Sequence, residues 1–240
     1  MNARVALVTG AGQRVGRVIA ETLAARGWRI VVHHFGSGAG AQEVVQGIVA
    51  RGGAAMALRA DLRDPIAVAT LAREAHAAFG QLDLLVNSAG GMERTTFGSI
   101  TAEDFDAIVA LNLRAPFLLA QAVAKVMPAG GAMVNIADHM AVEPWPNYSV
   151  HGIAKAGVIA MTRHLAAALA PSIRVNAVAP GFVLAPSGSD PAFATKFAAE
   201  TPLQRNGTPQ DVADAVAYFA DATYITGETL FVDGGRRVRP

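Results

Sequence analysis

Short apolar, β-branched runs alternate along this chain with longer stretches in which apolar residues recur every three to four positions. VALVTG precedes VGRVIAETLAARG, RIVVHH precedes AQEVVQGIVARG, and AAMALRA precedes IAVATLAREAHAAFG. The alternation continues through LDLLVNSAG, the helical stretch FDAIVALNLRAPFLLAQAVAKVM, GAMVNIAD, a helix opening near Tyr148, IRVNAVAPG, DVADAVAYFA and TLFVDGG. Runs of the first kind read as strands buried on both faces, and the longer stretches read as helices. Helical crossovers between successive strands give parallel pairing, and parallel strands need helices on both faces. The pattern therefore predicts an α/β fold, a single-domain Rossmann-type doubly wound sheet of about seven parallel strands covering residues 1–240.

The longest interruption of this pattern, residues 182–206, is rich in Pro, Gly and Ser. It follows the sixth expected strand at the C-terminal edge of the sheet, where ligands of open α/β folds bind, and is expected to form a substrate lid.

Composition narrows the partner class. Lys+Arg 20 against Asp+Glu 19 leaves a formal charge of +1, which gives no general attraction to nucleic acid or an anionic membrane. A small-molecule substrate is the expected ligand. The absence of cysteine excludes disulfides, thiolate metal sites and a Cys nucleophile, and suits a reducing cytoplasm. ARVALVTG reads as a strand entering a turn rather than as a targeting signal, and no uninterrupted apolar run is expected to span a bilayer. No His–carboxylate set has metal-ligand spacing. The C-terminal RRVRP is expected to be a solvated tail.

After the first strand comes TGAGQRVG, with Gly10, Gly12 and Gly16 ahead of a helix. Glycines there permit a tight turn and close approach of the backbone to a pyrophosphate, whose charge the helix N-terminus favours. At the end of the second strand, VVHHFGSG carries no acid to hold a ribose 2′-hydroxyl. His33, His34 and Ser37, with Arg14 from the glycine turn, are donors suited to a 2′-phosphate, which favours NADPH over NADH.

With these residues in place, the chain resembles the short-chain dehydrogenase/reductase family over nearly its whole length. The matching segments are TGAGQRVG, ADL at Ala60–Leu62, VNSAG at Val86–Gly90, Asn112, the Lys155 helix, RVNAVAPG and ITGETLFVDGG. The likeness is greatest to the pteridine reductase branch, whose glycine turn carries Arg, here Arg14, and which places an Asp, here Asp138, where most members have the catalytic Ser. HHFGS resembles the 2′-phosphate strip of that branch, with Gly36 in place of a basic residue. Met92 stands where the branch uses an aromatic ring against the pterin. The resemblance implies cofactor contacts at Gly10, Gln13, Arg14, Val15 and Gly16, at Asp61 and Leu62 beside the adenine, at Asn87, Ala89 and Gly90 beside the ribose and nicotinamide, at Lys155, and at Pro180, Gly181 and Phe182. It also implies a homotetramer.

In the family a Tyr four residues before the Lys gives a proton to the substrate. Here that position is His151. Tyr148 lies two turns from Lys155, about 10 Å along a helix axis, and with Trp145 it is expected to wall the substrate pocket, together with Met92. Imidazole can act as acid or base near neutrality. Lys155 repels an imidazolium and Asp138 stabilises one, so Asp138 and His151 are expected to titrate as a coupled unit. A dry pocket that kept Asp138 protonated would let it donate directly. Asn112 corresponds to the family asparagine that helps hold a water chain to the lysine. The leading expectation is an NADPH-dependent reductase of a small C=O or C=N substrate, a pterin-like heterocycle among them, using Asp138, His151 and Lys155. The rivals are an ordinary ketone or alcohol oxidoreductase and a catalytically silent dinucleotide-binding sensor or assembly partner.

Overall fold

A computed structural model describes residues 3–185 and 191–238. Every apolar run becomes a strand. In chain order the elements are β1 (Val5–Val8), α1 (Arg14–Ala25), β2 (Arg29–His34), α2 (Gly38–Ala50), β3 (Ala55–Arg59), α3 (Pro65–Phe79), β4 (Leu84–Asn87), α4 (Ala102–Val109), α5 (Ala115–Ala124), β5 (Gly131–Ile136), α6 (Ser149–Leu169), β6 (Ile173–Pro180), α7 (Pro191–Ala199), α8 (Pro209–Asp221) and β7 (Thr229–Val232). The strands form one sheet in the order β3-β2-β1-β4-β5-β6-β7, and each neighbouring pair is parallel. The chain starts mid-sheet, builds outward to β3, then returns beside β1 with β4. The connections leaving β1 and β4 therefore diverge, and a crevice opens at their C-terminal ends.

Period-two alternation divides the core into two layers. Ala6, Val8, Ile30, Val32 and Val86 face Ile19, Leu23, Val44, Val212 and Val216 from α1, α2 and α8. Val5, Leu7, Val31, Leu85 and Met133 face Leu71, Leu119 and Val123 from α3 and α5. Both faces of the central strands are thus dry, which is why their sequences are continuous apolar runs. Each fully buried Leu or Val stabilises the fold by about 1.5–3 kcal/mol relative to exposure.

Helix ends follow local chemistry. Asp64 accepts the Ile66 N–H at 2.9 Å, Pro65 opens α3, and Gly80 closes it at φ 75°. Reciprocal capping boxes start α4 (Thr101 with Asp104) and α8 (Thr208 with Asp211).

Two expectations are corrected. The stretch read as one helix before β5 is broken by a π-helical segment, Ala110–Arg114, between α4 and α5. Pro116 has no N–H to return to the preceding turn, and the backbone widens just ahead of it. The same span, Ala102–Ala124, is long and apolar enough to cross a membrane by length and composition; here its apolar side packs on the sheet through Leu119, Ala120 and Val123. Finally, residues 182–206 are not irregular throughout, because they contain α7. Phe197 is the one buried side chain described in that helix. Residues 186–190 of the expected lid lie outside the described residues.

Candidate active site

A cleft of about 1000 Å³ opens at the C-terminal ends of the strands. Its floor at one end is the glycine turn. Gly10 has φ +66°, and a Cβ there would lie 2.9 Å from Ala89 Cα, so the β1–α1 turn and the end of β4 approach as closely as backbones can. A Cβ on Gly16 would strike the Gly10 carbonyl. Thr9 fixes the pair of segments, its Oγ1 accepting the Ser88 and Ala89 N–H groups at 2.9 Å each. Arg14 occupies left-handed backbone at φ 51°, and its guanidinium donates to the Leu184 and Ala185 carbonyls at 3.4 and 3.3 Å. Gln13 makes no capping bond to α1, and no acid lies in that helix's first turn. The unpaired N–H groups of the turn are therefore open to an anion.

Gly10, Gln13, Arg14, Val15, Gly16, Ser37, Asp61, Leu62, Ala89 and Gly90 line the cleft, as do Met92, Asn112, Asp138, Trp145, Tyr148, His151, Lys155, Pro180, Gly181 and Phe182. The histidines of β2 behave differently from the expectation. His33 is buried, its Nδ1 accepting the Gly10 N–H at 3.1 Å and its Nε2 donating to the Ala60 carbonyl at 3.1 Å. Both ring nitrogens are spent on the fold, so His33 has no donor left for a phosphate. Burial pushes its pKa down to about 4, offset in part by the bond to Ala60. His34 does not line the cleft, and its buried Nδ1 has no hydrogen-bond partner among the described residues. Asn87 is likewise turned under the floor, donating to Asn135 Oδ1 at 2.9 Å.

Sequence reasoning missed Arg59 and Arg63. Their guanidinium carbons lie 4.9 and 5.5 Å from the centre of the Phe35 ring. Arg63 lines the cleft and forks onto Asp61 with two bonds of 3.0 Å. This pair holds the Asp61 carboxyl below its ordinary range. The signal was available in strand adjacency: β2 pairs with β3, and His34 is opposite Arg59.

At the other end of the cleft a hydrogen-bonded chain crosses from α4 to β6. Asn112 Nδ2 donates to the Ile108 carbonyl at 3.0 Å, and its Oδ1 accepts the Gly91 N–H at 3.3 Å. The Gly91 carbonyl lies 3.0 Å from His151 Nδ1. His151 Nε2 lies 3.4 Å from Asp138 Oδ2. Asp138 Oδ1 accepts the Met140 N–H at 2.8 Å and lies 3.1 Å from His139 Nδ1, which is itself 3.2 Å from the Pro180 carbonyl. Asn112 thus ties the π-helical segment to Gly91. Lys155 Nζ donates to the Ile136 carbonyl at 2.8 Å; burial lowers its pKa, against the opposing charge of Asp138.

Two protonation conclusions follow. Burial raises the Asp138 carboxyl, but hydrogen bonds from His139 and His151 outweigh it and leave the group well below the usual carboxylate range. Asp138 is therefore ionised, and the expectation that it donates directly as an acid is corrected. Both ring nitrogens of His151 then face acceptors, a carbonyl and a carboxylate. One hydrogen on each nitrogen would satisfy both.

The wall beside this chain is aromatic. Trp145 lies 6.1 Å from Tyr148 and 5.4 Å from Phe197 between ring centres, and Phe182 stacks on Phe197 at 4.9 Å. Met92 is 41% exposed. Phe197 escaped the sequence reading because α7 did. Arg236 also departs from expectation. Instead of a solvated tail it is a buried group, 3.8 Å over the Phe197 ring, bonded to Glu143 at 2.9–3.2 Å and Glu200 at 3.1 Å. Two carboxylates and a ring offset its desolvation. Removing one member of a buried ion pair costs about 3–5 kcal/mol. With the Glu200 side chain 38% exposed, Arg236→Ala is expected to cost about 2 kcal/mol and to lower Tm by roughly 4–8 °C. Calorimetry showing an unchanged Tm would contradict that value.

A parallel seven-stranded sheet carries a glycine turn at its switch point and a Lys-bearing helix beside the crevice, and the chain belongs to the short-chain dehydrogenase/reductase family. The family model described as enoyl-(acyl carrier protein) reductase matches residues 10–237. A 3-oxoacyl-[acyl-carrier-protein] reductase of Synechocystis sp. is 38% identical over 241 residues, covering 98% of this chain and 97% of the relative. Among solved structures, a short chain dehydrogenase from Burkholderia cenocepacia in complex with NADP is 35% identical, with TM-score 0.92 and 97% of each chain covered. A blue fluorescent protein from a metagenomic library in complex with NADPH is 33% identical, with TM-score 0.92 and 98% of each chain covered.

Proposed function

We propose that this protein is an NADPH-dependent reductase of a small C=O or C=N substrate in which the Asp138–His151 pair, rather than a tyrosine, delivers the proton. The observation that carries this reading is the position of the His151 ring between two acceptors, with its Nε2 toward Asp138. NADPH, when bound, supplies the hydride. The glycine turn and the start of α1 fit its diphosphate, because the close-packed glycines leave backbone N–H groups uncovered. Arg59 and Arg63, with Ser37 at the start of α2, would take the 2′-phosphate in place of His33 and His34; the end of β2 offers no carboxylate to repel it. Asp61 and Leu62 would border the adenine, and Pro180, Gly181 and Phe182 the nicotinamide. Relatives solved with NADP and NADPH support the cofactor assignment. One Lys155 hydrogen is used on Ile136, and the remaining two can hold ribose hydroxyls.

At 3.4 Å the Nε2–Asp138 contact is long for a charge-assisted bond. A substrate oxygen or nitrogen entering beside it can share the Nε2 hydrogen and then receive it as its own negative charge develops. The neutral ring left behind keeps its bond to Gly91 and turns a lone pair toward the ionised Asp138. That arrangement is repulsive, so it draws a new proton. The path runs through Asp138, whose side chain is 22% exposed against 4% for His151.

Asp138 and Arg14 support the likeness to pteridine reductases, and the flat rings of Trp145, Tyr148 and Phe197 suit a heterocycle. The 3-oxoacyl reductase among the relatives favours an open-chain ketone as the second reading. A panel of oxidised pterins, quinones and β-ketoesters with NADPH, read by loss of nicotinamide absorbance, separates the two. Turnover of pterins alone is the expected result. Turnover of ketoesters alone would establish the second reading, and tight NADPH binding with no turnover of any substrate would make the chain a silent binder.

A further inference from the structure

The proton-delivering pair has a neighbour that the reading above does not use. His139 follows Asp138 directly and is buried at 3% exposure. Its Nδ1 lies 3.1 Å from Asp138 Oδ1 and 3.2 Å from the Pro180 carbonyl. Both neighbours are acceptors, so Nδ1 bears the hydrogen and donates to both. The rest of the ring is held by packing. It stands nearly perpendicular to Trp145, with centres 5.5 Å apart at 81°, and to Phe197, at 6.0 Å and 82°. Nε2 has no hydrogen-bond partner among the described residues, so the ring's polar tie to the fold is through Nδ1.

We infer that His139 is a positioning residue that clamps the Asp138 carboxylate from the side opposite His151 and ties it to the end of β6. This rests on the proposed role of the Asp138–His151 pair and extends it. The two carboxylate oxygens are divided: Oδ1 takes the Met140 N–H and His139, and Oδ2 takes His151. With Oδ1 held by two donors, rotation of the carboxylate away from His151 breaks two bonds. The Pro180 link places this clamp at the start of the Pro180–Phe182 segment, beside the expected nicotinamide site. The charges bordering the pair are Lys155 and His151 on α6 and the Glu143–Arg236–Glu200 set, whose carboxylates are bonded to Arg236.

Two substitutions test the clamp. His139→Phe keeps a flat ring among Trp145 and Phe197 but removes the Nδ1 hydrogen. His139→Asn places an amide N–H near the Nδ1 position. The expected result is a fall in kcat of about tenfold for His139→Phe, with NADPH Kd unchanged, and recovery to within about threefold of wild type in His139→Asn. The titration of ring-15N-labelled His151, followed by NMR in the resting protein, should shift to lower pH by about one unit in His139→Phe, because the unclamped carboxylate no longer holds the His151 proton, and return in His139→Asn. Equal losses in both variants, or an unmoved His151 titration in His139→Phe, would reduce His139 to a space-filling role and overturn the inference. The NMR arm needs no turnover. If wild type reduces nothing, the proposed function fails while the shift still decides the clamp.

Discussion

His151→Ala is expected to lower kcat by about 10²–10⁴-fold, the range typical of losing a positioned general acid, with the Kd for NADPH unchanged. The ring is the link between Gly91 and Asp138, and no neighbour can replace its hydrogen. Asp138 is held ionised and has none to give. Lys155 is buried and engaged with the Ile136 carbonyl. Tyr148, the N-cap of α6, lies a turn earlier beside Trp145. Because the lost interaction strengthens as charge develops on the substrate, kcat and kcat/KM should fall together. Stopped-flow oxidation of NADPH measures both. A variant with full kcat would remove His151 from the chemistry, and the Asp138–His151 assignment with it.

The second large effect is a dependence of stability on pH that originates away from the reaction. His33 titrates near 4 in the fold, with burial as the main cause, against about 6.5 in an unfolded chain. Between those values the unfolded chain binds a proton that the folded one refuses. Stability therefore falls as pH drops, by about 1.4 kcal/mol per unit, and by about 3 kcal/mol in all from pH 6.5 to 4. Above that window the group contributes no slope. The depressed carboxyl of Asp138 acts in the same direction but at lower pH, so it does not contaminate the window. Urea unfolding at a series of pH values should show the slope in wild type and its absence in His33→Gln, whatever the variant's absolute stability. Parallel slopes for the two proteins would refute the assignment of His33 as a buried neutral imidazole.

The seven strands were legible because the central ones are buried on both faces and the edge ones keep β-branched or apolar runs, and VALV or LLVN permits no other reading once helical stretches separate them. The glycine turn and the Asp138–His151–Lys155 set were legible because spacing along a strand end and one helix survives into three dimensions. What failed was whatever depends on a partner distant in sequence. His33 has the chemistry of a phosphate donor, and only the fold reveals that Gly10 and Ala60 consume it. His139 drew no reading from the sequence, because its partner Pro180 is 41 residues away. Arg236 in a basic tail gave no hint of Glu143 and Glu200, which come from two other segments. α7 was missed because the Pro-, Gly- and Ser-rich residues around it read as one loop.

The π-helical turn between α4 and α5 sets a limit on how this chain can drift. An α-helix turns about 100° per residue, and a π turn inserts one residue, so Leu119 and Val123 meet the sheet in a phase offset from that of α4. The same turn presents Asn112 to Gly91. Deleting one residue there would either swing the apolar stripe of α5 off the sheet or pull the asparagine from the strap that carries the His151 contact. Insertions and deletions are tolerated in the surface loops nearby, but within these five positions the count itself is under constraint.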